Sequence, residues 1–477
     1  MKSSFGIKEL DVIRSALDHR ALTSPDKPSW SFSGWAWPVL WSRTCVGYLW
    51  ANSLLGLESS KIEKLRIFLG NIRSCFWGHS PRLYFSANFQ QKDNLVHTWI
   101  LPGEYANFLS GEDRYFGRLE EVDFRECMFL VDLLDENEAA LRDLLAAGCL
   151  VIRKERDRYR PFRAFKIIKS NIKNFSIETM ISLIDFTFVD GELIYQQLAA
   201  AIDISKIKSF LTPYEAQPVQ QRLIFEFQKR SKAKTIGYVH SSLSCFPSYI
   251  SMRPGAPNRV LVHGSAYKHA MTKYLGWTEE SILIIDSLRF AKPRPEMAGA
   301  IFLPFAHRST QMLTEMLSRL FELRVDLKRN WEIRPHPAVA VAQADFLKNV
   351  EEIVGVECGG VDICKPTPNR SAIQLGVSGA ILECLESGID VFHIVEDPRL
   401  DSYAEELWPD LEITKLDSNI FHYKLRSRGS FIRYRTSTSP TFKELRMNLI
   451  ADQAAPSLNA QIDAPSHHSI FWGEINQ

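Results

Sequence analysis

His336 stands between two prolines in 331-WEIRPHPAVA-340, directly after a short apolar run. Neither Pro335 nor Pro337 has an N–H, and each keeps the residue before it extended, so the turn is stiff and its imidazole points outward from a strand end. Such a group can contact a ligand phosphate, or it can be an exposed side chain on a rigid strand exit. Further on, in 376-GVSGAILECLESGIDVFHIV-395, Gly376, Ser378 and Gly379 form a small-residue turn leading into a short helix that Gly388 closes. Free N–H groups and the positive dipole end at a helix start suit a phosphate, and Ser378 can cap the helix and bond the anion; a capped helix in an ordinary βαβ unit looks the same.

Upstream, 213-PYEAQPVQQ-221 sets Glu215 between a short extended segment, 207-IKSFLTP-213, and a helix. A carboxylate in such a loop can take the proton from an attacking hydroxyl, although the helix dipole also favours a glutamate there with no further role. His240 ends the run 234-KTIGYVHSS-242, and Arg289 ends 282-ILIIDSLRF-290. A guanidinium offers a planar fork to a phosphate or carboxylate, so Arg289 and Arg334 are either ligand contacts or surface arginines. Asp190, in 188-FVDGELIY-195, reads most simply as part of an Asp-Gly turn and is compatible with an acidic catalytic loop.

These residues share a context, since most of them follow an apolar run. Strand-like runs (127-CMFLVDLL-134, 149-CLVIRK-154) flank the helix-period stretch 136-ENEAALRDLLAAG-148. A helix over 219–230, a strand over 234–242, the strand, glycine turn and helix of 259-RVLVHGSAYKHAMTKYLGW-277 with Gly264 in the turn, and a strand over 282–290 continue the series. The Pro-rich 292-KPRPEMAGA-300 reads as a linker. A second set follows: strand 300–305, helix 309–324, strand 331–335, helix 341–355 and the segment 374–395. Alternating strands and helices predict an α/β fold of two lobes with parallel sheets, which bind ligands at the carboxyl ends of their strands.

At 477 residues, the chain is long enough for two domains. A net charge of +1 gives no global pull toward nucleic acid. The cysteines form no C-x-x-C pair and no zinc spacing, so reduced thiols are expected, and no run is apolar enough to span a bilayer. A cytoplasmic protein is therefore expected. The segment 153-RKERDRYRPFRAFKIIKSNIK-173 interleaves basic and apolar residues; it reads as a solvated basic face, a contact for an anionic inner membrane, or a single-strand nucleic-acid surface. Residues 1–120 carry no readable motif beyond a strand at 82–89 and a helix around 58–70. The Ala/Pro/Ser-rich tail from about 450 is expected to be poorly ordered.

Taken in order, YEAQP, TIGYVHSS, RVLVHGSAYKHAMTKYLGW, DSLRF, RPHP and VSGAILECLESGIDVFHI resemble bacterial surface-polysaccharide glycosyltransferases of the GT-B architecture, over roughly residues 205–395. The likeness is to enzymes that use CMP-linked acidic sugars such as Kdo and sialic acid, with CDP-glycerol polymerases more distant. It implies two Rossmann-like lobes facing a cleft: 1–295 for the acceptor, 296–430 for the nucleotide sugar, and an extension over 431–477. It implies nucleotide contacts from His336, Pro337, Ser378 and Gly379, with Arg334, Arg289, Gly264 and Glu383 as further candidates. Glu215 would be base or nucleophile, with Asp190 as runner-up. No metal and no resident cofactor is implied, and the partners are a nucleotide-sugar donor and a lipid-linked or lipopolysaccharide glycan, not nucleic acid. Rival readings are polyol-phosphate transfer from a CDP-linked donor with His240 as base, and a non-catalytic glycan- or nucleotide-binding module.

Overall fold

In the computed structural model of the chain the described residues are 79–157, 193–243, 255–304, 309–328, 331–336, 344–358, 370–398 and 401–451, with a few single positions between. Asp190, Pro337, the helix around 58–70, nearly all of the basic segment beyond residue 157 and the tail after residue 451 lie outside them.

The first lobe contains β1 (His79–Tyr84), β2 (Asn94–Ile100), the hairpin strands β3 (Glu112–Asp113) and β4 (Gly117–Arg118), β5 (Cys127–Leu133), β6 (Leu150–Arg156), β7 (Ser209–Pro213), β8 (Lys234–Tyr238), β9 (Arg259–Val262) and β10 (Ile282–Ile284). Its helices include α1 (Tyr105–Leu109), α2 (Glu121–Glu126), α3 (Glu138–Ala146), α4 (Pro218–Arg230) and α5 (Ser265–Tyr274), and residues 193–201 are helical as well. The main sheet runs β1-β6-β5-β2-β7-β8-β9-β10 and is parallel apart from β1. Every residue of β5 and β7 is buried, as expected for parallel strands covered on both faces. From β2 the chain first steps outward through β5 and β6, then returns to β2's other side with β7. The carboxyl ends of β2 and β7 therefore flank a topological switch point, where such sheets open a crevice.

The second lobe contains β11 (Ala300–Phe302), α6 (Thr310–Leu323), β12 (Glu332–Arg334), α7 (Ala344–Cys358), β13 (Ser371–Leu375), α8 (Ala380–Glu386), β14 (Asp390–Ile394), β15 (Leu411–Asp417) and β16 (Ile420–Leu425), and α9 (Phe442–Ala451) follows. The strand order is β12-β11-β13-β14-β16-β15, with β12, β11, β13 and β14 parallel and the last two antiparallel. Its switch point falls between β11 and β13, so the segment carrying Ser378 and Gly379 leaves the sheet there. Both sheets are Rossmann-like, as the alternation of strands and helices predicts. No helix among the described residues is long and apolar enough to cross a membrane.

Three local readings are corrected. The strand expected over 282–290 stops at Ile284. Ile285 N–H still donates to the Val262 carbonyl of β9 (2.9 Å), but beyond it Ser287 N–H donates to the Arg433 carbonyl (2.7 Å) and Asp286 pairs with Arg433 (3.0 Å), so residues 286 and 287 are held by the later chain. The strand expected over 82–89 is shifted to 79–84 and runs antiparallel to β6. Gly191 lies in helical backbone, not in a turn; a Cβ there would stand 2.6 Å from the Val219 carbonyl oxygen, so glycine permits the close approach to α4.

One hydrophobic core runs through both lobes. The indole N–H of Trp408 donates to the Cys245 carbonyl (3.0 Å), and the Trp408 ring packs near Tyr267 and Phe431. The buried Glu386 carboxylate accepts N–H bonds from Gly429, Phe431 and Ile432 at 2.7, 2.7 and 3.1 Å, which fixes the path of the chain leaving the second lobe. That chain then returns to the first lobe, where the Phe442 ring packs tilted against Phe116 (centroids 5.1 Å apart) and Arg446 bonds Glu126 beside Asp123.

Gly264 belongs to this junction. Ala266 N–H donates to the Ser430 carbonyl (2.9 Å), and a Cβ on Gly264 would collide with that carbonyl and reach within 2.8 Å of Phe431 N. Instead of an open nucleotide-binding turn, Gly264 is a point where two backbones touch. Gly264→Ala is expected to lower unfolding stability by about 1–3 kcal/mol through overpacking, read as a lower midpoint in urea, without a selective loss of nucleotide affinity.

Candidate active site

The first lobe's switch point is tied together by buried polar side chains. His97 at β2 contacts Thr212 Oγ1 on β7 through Nδ1 (3.0 Å); burial pushes its pKa down to about 3, so it is a neutral structural group. Beyond Pro213 the backbone turns sharply. Gln217 caps α4, Pro218 takes its first position, and Gln220 at the third completes a capping box. Gln220 Oε1 accepts from the N–H groups of Gln217 (3.0 Å) and Glu215 (3.1 Å), and its amide donates to the Pro213 carbonyl (2.6 Å). Ala216 lies between them at φ 52°, the one non-glycine with positive φ among the described residues. A left-handed alanine costs about 1–2 kcal/mol, and strain of this kind gathers where geometry is over-determined.

The strained turn directs Glu215 toward the exit of β8. One carboxylate oxygen meets His240 Nε2 at 3.1 Å and the other accepts from the Gln217 amide at 2.8 Å. Burial pushes the Glu215 carboxyl upward, but the hydrogen bond and charge of His240, the Gln217 bond and the Arg289 guanidinium together outweigh it, and the net shift is below the usual carboxylate range. An ionised carboxylate only accepts, so Nε2 is the nitrogen that donates to it, and in a neutral ring of that tautomer Nδ1 keeps its lone pair. His240 Nδ1 is buried and has no hydrogen-bond partner, in a side chain only 4% exposed. This is the arrangement of a base, His240, oriented by a carboxylate, Glu215.

Tyr115 packs edge-on against the His240 ring, with centroids 4.5 Å apart. It sits in the β3–β4 hairpin, which Asp113 anchors: this carboxylate accepts from Thr98 Oγ1 and from the N–H groups of Tyr115 and Phe116, all at 2.7 Å. A cavity of about 200 Å³ is lined by residues that include Trp99, Glu104, Asn107, Asp113 and Arg114. The Trp99 ring meets Tyr115 at 5.5 Å, so an aromatic path links cavity and histidine. Next to the pair, His263 contacts the Tyr238 hydroxyl (2.9 Å), and its pKa is held at about 3 by burial and then by the His240 and Arg289 charges.

Arg289 links the lobes electrostatically, since its charge lowers the carboxyl pKa of both Glu215 in the first lobe and Glu383 in the second. Across the junction, the place of a Cβ on Gly379 is 3.6 Å from Ser242 Cβ, two residues beyond His240. Ser378 Oγ accepts from Ala380 N–H (3.2 Å), which opens α8 and brings Glu383 to the same side, 3.7 Å from Arg294. Burial raises the Glu383 pKa against the opposing Arg289 and Arg294 charges.

Glu215, His240, Arg289, Gly379 and Glu383 are thus brought to facing edges of the two lobes. His336 follows β12 at the carboxyl edge of the second sheet, half-buried, and burial lowers its pKa. Arg334 is already engaged by Glu332 (2.6 Å) and the Glu296 carbonyl (2.8 Å), pinning the linker to the sheet. Sequence reasoning missed Asp113, Tyr115, Gln217 and Gln220. The Q-P-x-Q spacing of a capping box was the available signal for the two glutamines.

A carboxyl with a raised folded pKa favours folding when protonated, and that contribution is lost as pH rises through the folded value. Glu383→Gln is therefore expected to stabilise the protein by about 0.5–2 kcal/mol at pH 7–8 and by much less at pH 4, read from urea midpoints at the two pH values.

No family model matches the chain, and no curated protein matches it in sequence. Among solved structures, it is similar to a glycosyltransferase from Rickettsia africae ESF-5 (TM-score 0.31, 11% identity, 65% of this chain and 86% of that one). It is also similar to an alpha,alpha-trehalose 6-phosphate synthase from Burkholderia multivorans (TM-score 0.32, 8% identity, 62% and 80%). A third is Anabaena HepE in complex with UDP and glucose (TM-score 0.28, 10% identity, 62% and 79%). At TM-scores of this size the strand orders and the site geometry carry the reading. They define a two-lobed α/β protein with Rossmann-like sheets and a histidine–carboxylate pair at the junction.

Proposed function

We propose that the protein is a GT-B glycosyltransferase that moves a sugar from a nucleotide donor to a glycan hydroxyl. The observation that carries this reading is the Glu215–His240 pair, with its unpartnered Nδ1, at the switch point and within the field of Arg289. Once Nδ1 is uncovered by movement of its neighbours, such as Tyr115 against the ring, the acceptor hydroxyl gives its proton to His240 Nδ1 as its oxygen bonds the anomeric carbon, and Glu215 stabilises the resulting imidazolium. The bond from that carbon to the phosphate oxygen breaks, and the leaving phosphate takes the electron pair beside Arg289, the α8 turn and His336. The cavity lined by Trp99, Glu104 and Glu112 offers an indole wall and carboxylates, a lining suited to a hydroxyl-rich sugar unit of the acceptor. The finer proposal, a CMP-linked acidic sugar such as Kdo and a surface-polysaccharide or lipopolysaccharide acceptor reached at the inner membrane, rests on the sequence resemblance.

Thermal unfolding with CMP, CDP and UDP tests it. A nucleotide at about 100 times its dissociation constant adds about 2.7 kcal/mol of stability. Selective stabilisation by CMP supports acidic-sugar transfer. Selective stabilisation by CDP favours polyol-phosphate transfer with the same histidine as base, and stabilisation by UDP moves the donor class. No response to any of the three sinks the enzyme reading.

A further inference from the structure

We infer that Gln220 is a positioning residue for the Glu215–His240 pair, an inference that rests on the proposal that this pair handles the proton. Gln220 is 1% exposed and uses its amide entirely within the turn it crosses. One side chain ties the Pro213 carbonyl and the N–H groups of Glu215 and Gln217 together, with left-handed Ala216 held between them. With its N–H satisfied by Gln220, Glu215 is held so that one carboxylate oxygen meets the Gln217 amide and the other His240 Nε2. That contact selects the tautomer that leaves Nδ1 basic. Without Gln220, two half-buried N–H groups lose their acceptor and the turn loses the bonds that hold Ala216 left-handed. Glu215 then moves, and His240 loses the acceptor that fixes its tautomer. Gln220 touches neither the histidine nor the reacting atoms and acts through Glu215.

Nitrogen NMR of the full chain carrying ¹⁵N-histidine, with His240 assigned by its loss in His240→Asn, reads the tautomer directly. The wild type is expected in the Nε2–H form. Gln220→Met, which keeps the volume and removes every polar contact, is expected to lower the ratio of Nε2–H to Nδ1–H about 10-fold or more, the worth of one hydrogen bond to a charged group. Gln228→Met is the control: Gln228, on the same helix as Gln220, bonds Thr235 Oγ1 (3.1 Å) and the Ala256 carbonyl (2.7 Å), and its loss is expected to leave the ratio unchanged. Should Gln220→Met not fold, Gln220→Asn keeps the chemistry, is one methylene too short to span the turn, and is expected to shift the ratio in the same direction. An unchanged ratio in either folded Gln220 variant overturns the positioning role and leaves the pair intact. A wild-type His240 already in the Nδ1–H form overturns the pair itself, and Gln220's role with it.

Discussion

His240→Asn is expected to reduce the rate of sugar transfer by about 10²–10⁴-fold, the usual worth of a positioned general base, while nucleotide-induced thermal stabilisation stays at the wild-type value. Asparagine retains polarity but cannot hold the acceptor's proton. Glu215→Gln is expected to cost a similar factor for a different reason: the amide can donate to Nε2, which favours the tautomer with Nδ1 protonated and unable to accept. Because the two residues act as one unit, the double variant should lose little more than either single one. The Glu215 carboxyl is held below the usual carboxylate range, so it favours folding above its unfolded pKa and this contribution is lost only as pH falls through the depressed folded value. Glu215 therefore remains ionised from pH 5 to 8, and a limb of the rate profile in that window belongs to another group. Single-turnover rates over this range for the wild type and both single variants are the measurement. Retention of more than about a tenth of the rate in His240→Asn would falsify its role as base.

Much of the two-sheet architecture was legible because buried parallel strands are short unbroken apolar runs and their helices keep a clear period, as CMFLVDL and ENEAALRDLLAAG illustrate. The sequence misled where long-range contacts decide the outcome. Residues 285–290 are apolar enough for a strand, but Asp286 and Ser287 find partners in residues 433–439, far along the chain. The site was legible to the extent that its residues end strands, as His240 does, or start helices, as Glu215 and Ser378 do. The pairing of Glu215 with His240 depends on the adjacency of β7 and β8, and Asp113 and Tyr115 reach the site through a hairpin too short to leave a pattern. Gly264 shows the converse error: a glycine between strand and helix looks like a phosphate turn, and only the return of residue 430 explains it.

The second large effect concerns the return helix. Arg446 is 6% exposed on α9, bonded to Glu126 and 3.8 Å from Asp123, whose side chain is 1% exposed. Arg446→Met is expected to destabilise the protein by about 3–5 kcal/mol, because it leaves a buried carboxylate without its counter-charge. Asp123 already has a raised pKa, from burial against the opposing Glu120 N–H bond and Arg446 charge. Removing the arginine raises it further, so the loss should be greatest at pH 7–8, where the folded state must hold the carboxylate ionised, and smallest near pH 4. Arg446→Met combined with Asp123→Asn should recover part of the stability. Denaturant unfolding at both pH values reads all three variants, and a pH-independent loss in the single variant would mean that lost packing, not charge, is responsible.

The double passage of the chain between lobes sets how the protein can move. One crossing runs through the linker at 292–300, where Arg294 N–H bonds Ser387, and the other follows Glu386 through 429–442 to α9. A body attached to another at one point can swivel about every axis, whereas attachment at two separated points leaves one rotation, about the line joining them. Any relative rotation of the lobes is thereby confined to a single angle, and the core they share opposes even that.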